Sequence, residues 1–169
     1  MIDLSRKLKN FGPLEFLVIS SLVYVIIMLI WTASTRSAVI QKANDIKFNH
    51  KTVVEFINNE VNECSSNENG KTAWGENCNS AWTSSNIVKY ILDNFKLNNP
   101  YKIEKPLIQT SQDPRIQAEG KAGQSTDKGI IFVSESNFES EAGSEWIIGT
   151  CVKSPCVAAG NNELASAYR

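Results

Sequence analysis

From Phe16 to Trp31 the chain reads FLVISSLVYVIIMLIW, with no charge and only Ser20, Ser21 and Tyr24 as polar interruptions. Extended to Phe11 and Ser34, the stretch holds a single charged side chain, Glu15. A helix rises about 1.5 Å per residue, so about 20 apolar residues cross the hydrocarbon core of a bilayer. The segment therefore predicts a membrane-spanning helix, or one sheathed by equally apolar partners. Its apolar run is longer than the 7–15 residues usual in a secretory signal, and Ala33-Ser34-Thr35 is a poor cleavage site.

Working outward, Arg6, Lys7 and Lys9 precede the span. By the positive-inside rule the N-terminus stays in the cytoplasm and everything after Ser34 is exported. Beyond the span, Val39, Ala43, Ile46, His50, Val53, Ile57 and Val61 recur at steps of three and four, one stripe of an amphipathic helix. No Pro or Gly interrupts Leu14 to Val61. One helix of about 50 residues is the simplest reading, apolar all round in its first half and two-faced in its second.

Residues 62–83 are rich in Asn, Ser and Gly and read as a loop. A short helix is expected over Asn86–Leu97, capped by Ser84 or Ser85, with Ile87, Tyr90, Ile91 and Phe95 on its apolar face. Lys102–Thr110 reads as a first strand with an edge or break at Pro106. Ile116–Ala118 is too short to assign. Gly129–Ser134 and Glu145–Val152 are the strongest strands, β-branched, aromatic and turn-bounded. Residues 157–169 read as a mobile or edge-lying tail. A long N-terminal helix followed by strands predicts an α+β fold, with a small antiparallel sheet packed on the second half of the helix.

The whole chain has 169 residues, 42% hydrophobic and 21% charged, with 17 Lys+Arg against 18 Asp+Glu. That is a one-domain length without the basic excess of a nucleic-acid binder. All four cysteines, Cys64, Cys78, Cys151 and Cys156, follow the span, as disulfides in an exported domain would. Three connectivities are open, and closeness in sequence favours Cys64–Cys78 and Cys151–Cys156. A four-thiolate zinc site is disfavoured, because 13 residues separate Cys64 from Cys78.

Taken together, the basic leader, the Phe11-Gly12-Pro13-Leu14-Glu15 start, the long unbroken helix and the cysteine-bearing head with late strands resemble a bacterial type IV pilin. Residues 6–35 carry the specific part of the resemblance. It implies three regions: a leader over 1–10, a transmembrane and filament-core helix over 11–35, and an exported head over 36–169 that includes the amphipathic half of the helix. It implies cleavage by a prepilin peptidase after Asn10, methylation of the new N-terminus at Phe11, and Glu15 as the filament-assembly residue. Its partners would be the inner membrane, the pilus assembly machinery and other copies of itself in an extracellular filament serving adhesion, motility or DNA uptake. No cofactor or metal is implied. Two departures stand out: the family prefers Gly where Asn10 stands, and it often has a proline near Thr32. Gly12 offers a second cut, but that would leave Glu15 only third.

Other residues have plainer readings. His50 lies on the apolar stripe and reads as a core histidine. Trp74 and Trp82 flank Cys78, either as a recognition patch or as packing over the disulfide. Ser20 and Ser21 read as hydrogen-bonded within the span. Lys102, Lys105, Arg115, Lys121 and Lys128 are interleaved with carboxylates, which favours a solvated surface over a nucleic-acid strip. Asp113 and Glu119 are too little for a catalytic pair, and no phosphate loop, zinc-binding helix pair or nucleophile elbow occurs, so no enzymatic role is expected. Two further readings stand beside the pilin: a minor pilin or type II secretion pseudopilin, and an uncleaved single-pass anchored binding module.

Overall fold

The structure, a computed structural model, describes residues 12–102, 104–120, 128–134, 138–140 and 143–168, with backbone alone for 138–140, 143 and 144. The chain divides into two compact units between Ile40 and Gln41.

One element runs through the division: helix α1, Pro13–Ser66, 54 residues long. It starts where the sequence supplies start signals. Pro13 takes the first helical position, where its missing N–H costs nothing, and Glu15 stands in the first turn. In the N-terminal unit the helix has an 18-residue window of mean hydropathy 2.4, none of it buried. From Leu14 to Trp31 its large apolar side chains are 44–77% exposed. Leaving a Leu, Ile or Phe in water rather than burying it costs about 1.5–3 kcal/mol per side chain. By length and apolar character this helix can cross a membrane. The hydroxyls of Ser20, Ser21, Thr32, Ser34 and Thr35 all donate to carbonyls three or four residues back. These five hydroxyls are thus satisfied within the helix.

In the second unit α1 turns two-faced. Ala43, Ile46, His50, Val53, Ile57, Val61 and Cys64 are buried, at the expected three- and four-residue steps. Val39, placed on the same stripe by sequence, is 38% exposed. The helix runs five residues past Val61, because Cys64 continues its buried face. The loop therefore begins at Asn67 rather than at residue 62.

Helix α2, Ser84–Asn94, buries Ser84, Ile87, Val88 and Ile91. It ends before Phe95, three residues short of the expected Leu97. Strand β1, Ile108–Ser111, is shorter than the expected Lys102–Thr110, and Lys105 N–H donates to Lys102 O at 3.1 Å in a turn ahead of Pro106. Helix α3, Pro114–Glu119, occupies the segment left unassigned. Asp113 caps its N-terminus, Pro114 takes the first turn, and Gly120 closes it at φ 69°.

Strands β2 (Ile131–Ser134), β3 (Phe138–Ser140), β4 (Gly143–Cys151) and β5 (Asn162–Tyr168) complete the sheet. Glu145 pairs with both Phe138 and Tyr168, and Gly149 with both Phe132 and Leu164. Hence β2 and β3 share one edge of β4, and β5 lies along the other. The class is α+β as expected, but the sheet is mixed rather than wholly antiparallel: β1 and β2 run parallel, Ile108 opposite Ile131. A parallel pair needs a long crossover, and α3 lies in it. The tail is the edge strand β5.

Strand β4 is buried on both faces. Trp146 and Ile148 join Ile46, Val53, Ile57, Ile87 and Ile91 in the main core. On the opposite face Gly149 lets α3 approach closely. A Cβ built there would lie 2.6 Å from Pro114 O and 3.1 Å from Ala118 Cβ. Burial on both faces is why Trp146–Ile148 reads as consecutive apolar residues and not as an alternation.

Candidate functional site

The residues singled out for processing and assembly fall in the N-terminal unit. Asn10 and Phe11 lie outside the described residues. Glu15 is exposed on the first turn of α1, and its Oε2 accepts the Gly12 N–H at 3.1 Å. That places a carboxylate at the third helical position, bonding back to the residue before the helix, as in a capping box. The helix N-terminus also favours its negative charge. Leu14, Glu15, Val18 and Ile19 line a shallow apolar groove of about 270 Å³ beside this carboxylate.

In the second unit the cysteines are paired as Cys64–Cys78 and Cys151–Cys156, and no described cysteine is free. The first bridge ties the end of α1 to the loop that follows. That loop is organised by one carboxylate, Glu76. It accepts Trp74 Nε1–H at 2.8 Å, Thr83 Oγ1–H at 2.7 Å, Asn86 Nδ2–H at 2.7 Å and the Thr83 N–H at 3.1 Å. Partial burial pushes the Glu76 carboxyl up, but these hydrogen bonds outweigh it and hold the group below its ordinary value. Thr83, not the expected Ser84 or Ser85, holds the cap position of α2; its hydroxyl donates to Glu76 and accepts no helix N–H. Glu76 carries no motif, so only the folded loop reveals its role.

Trp82 and Trp74 both pack against the core that holds the Cys64–Cys78 bridge. Trp82 is 3% exposed and belongs to the core with Cys64 and Cys78. Trp74 is half-buried, with its ring 5.1 Å from Trp82 and 6.0 Å from Phe56, edge to face in both cases. Phe56 also stacks on Tyr90 and meets Phe95, so four rings gather around it, counting its own.

His50 is a core histidine. It is 6% exposed, and its Nε2 lies 3.2 Å from Ile148 O. Burial lowers its pKa, while the Ile148 carbonyl and the Glu163 charge act the other way. Asp113 serves as the cap of α3, accepting the Arg115 N–H at 3.0 Å. Arg115 lies 3.7 Å from Glu145, whose carboxyl is held below its ordinary value by the Ser166 hydroxyl, with Tyr168 and Arg115 adding to the effect. Lys128 and Lys42 sit over the Tyr101 ring at 5.4 and 5.7 Å. Arg115 and Lys128 of the basic strip thus have separate surroundings, and Lys121 lies outside the described residues. Among the described residues no group of three metal-ligating side chains occurs. No family model matches this chain, and no curated protein and no solved structure matches it.

Proposed function

We propose that this chain is a type IV pilin subunit: its leader is removed before Phe11, and the mature chain polymerises through its apolar helix into an extracellular filament. The observation that carries the reading is α1 itself. A single unbroken helix joins an exposed apolar segment to a stripe buried in a disulfide-bonded α+β unit. The apolar segment needs a cover, and lipid before assembly followed by other copies of the same helix afterwards supplies one in both settings. Glu15 is the only charged residue between Phe11 and Ser34. A carboxylate there costs about 2.5–3.5 kcal/mol in hydrocarbon unless it is partnered. The free N-terminal amine of a neighbouring copy is the fitting partner and would set the axial register.

The test is expression of the full chain beside a prepilin peptidase and a pilus assembly system, with filaments sheared from the cell surface and examined by electron microscopy. Filaments containing the wild-type chain, and none from Glu15→Ala at equal membrane levels, are expected. Abundant membrane protein without filaments under every condition contradicts the polymerising role and leaves the single-pass anchored module.

A further inference from the structure

Away from the assembly residues, Trp74, Asn86, Lys89, Tyr90, Asp93 and Asn94 line an open pocket of about 250 Å³. Its two aromatic walls are fixed from behind. Trp74 is held edge to face by Phe56 and Trp82, and Tyr90 stacks on Phe56 at 5.6 Å with 6° between the ring planes. Both rings remain partly open to solvent. The Trp74 indole N–H is already given to Glu76, so Trp74 offers the pocket ring surface and no donor. The Asn86 amide NH2 donates to the same carboxylate, which orients its side-chain oxygen as the group left to accept. Asn94 is oriented likewise by donating to Tyr90 O at 3.0 Å. Lys89 and Asp93, exposed and one turn apart on α2, add an ammonium donor and a carboxylate acceptor.

The composition narrows the ligand. Polar atoms make up most of the lining, which is wrong for an acyl chain. One cation beside one carboxylate leaves no net charge to hold a phosphate. Two ring surfaces under a rim of mixed donors and acceptors suit a molecule with one apolar face and an edge of hydroxyls, each both donor and acceptor. The volume is below the about 300–1,000 Å³ that encloses a drug-sized molecule. The geometry points to a binding site for a single neutral pyranose residue, its C–H face on the Tyr90 ring, the steeply inclined Trp74 ring closing one side, and its hydroxyls on Asp93, Lys89 and the two asparagines. This site stands on residues 74–94 and does not depend on filament formation.

The experiment uses the full chain in phospholipid nanodiscs, free of glycoside detergents. Glucose, galactose, N-acetylglucosamine and N-acetylgalactosamine are the probes, read by saturation-transfer NMR and tryptophan fluorescence. At least one is expected to bind with a dissociation constant on the order of 1–10 mM, as a small open site allows. Asp93→Ala removes one hydrogen-bonding group from an exposed position and is expected to weaken that binding about fivefold. Tyr90→Ala removes a wall and is expected to abolish it. Lys51→Ala, on the exposed face of α1, leaves it unchanged. Because Tyr90 packs on Phe56, its variant is scored only if circular dichroism matches the wild type, and Asp93→Ala decides otherwise. Silence of all four probes at about 50 mM, well above the expected constant, overturns the site. Binding undiminished by Asp93→Ala does so equally.

Discussion

Glu15 Oε2 accepts the backbone N–H of Gly12 across the first turn of α1, at 3.1 Å. In a single chain the carboxylate is therefore a helix cap. In the proposed filament the same carboxylate would face a neighbour's amine. The two roles separate on substitution. Glu15→Gln keeps a capping oxygen but loses the charge. It is expected to leave the helicity of the isolated chain unchanged and to abolish filaments. Glu15→Ala costs in addition about 1 kcal/mol of local helix stability. Far-ultraviolet circular dichroism of the membrane-inserted chain, beside filament yield, checks both.

The loop after α1 depends on an ionised Glu76. Its folded pKa lies below the ordinary 4.5, so it adds stability above that value and loses it as pH falls through the folded value. Glu76→Ala strands the Trp74, Thr83 and Asn86 donors and is expected to cost about 1–2 kcal/mol at neutral pH, water partly replacing these half-exposed bonds. Thermal unfolding at pH 7 and at pH 3 should show the difference between variant and wild type shrinking in acid.

His50 acts in a different window. Its folded pKa is depressed below 6.5 by burial, so the unfolded chain takes up the proton first. Stability is complete above pH 6.5 and declines as pH falls from there toward the folded value. His50→Leu should flatten this decline between pH 6.5 and 5, read as the thermal midpoint against pH.

Trp146 is wholly buried, and its indole N–H is the one buried side-chain polar atom without a partner among the described residues. Losing that group forfeits no hydrogen bond, so Trp146→Phe costs only the volume by which indole exceeds phenyl. It is expected to cost about 1–2 kcal/mol, against about 3–5 kcal/mol for Trp146→Ala. Chemical denaturation of the two variants distinguishes them.

The disulfides close loops of different length, with separations of 14 and 5 residues. Loop-closure entropy gives about 3 kcal/mol for the first and about 2 kcal/mol for the second. Paired serine variants of Cys64 with Cys78, and of Cys151 with Cys156, should fall in that order in thermal stability.

Much of this architecture is legible in the residues. The α1 stripe is readable because a period of 3.6 is sustained from Ala43 to Val61. The strands β2 and β4 are readable because apolar β-branched runs sit between glycines and serines. Helix α3 is not found by periodicity, since Ile116 and Ala118 are too few to show a period. Its signals are instead the Asp113 cap, Pro114 and Gly120. The parallel pairing of β1 with β2 leaves no local trace, because it depends on the crossover through α3. The same holds for the candidate sites. Glu15 is conspicuous as a lone charge in an apolar run. Glu76 and the Trp74–Tyr90 pocket are assembled by a loop folding back on two helices, which no spacing records.

The most direct test of the central claim is the intact mass and N-terminal sequence of the chain, taken separately from membranes and from the sheared surface fraction. The account predicts that surface material begins at a methylated Phe11, with the longer form confined to membranes. A chain that begins at Met1 in every fraction would contradict it.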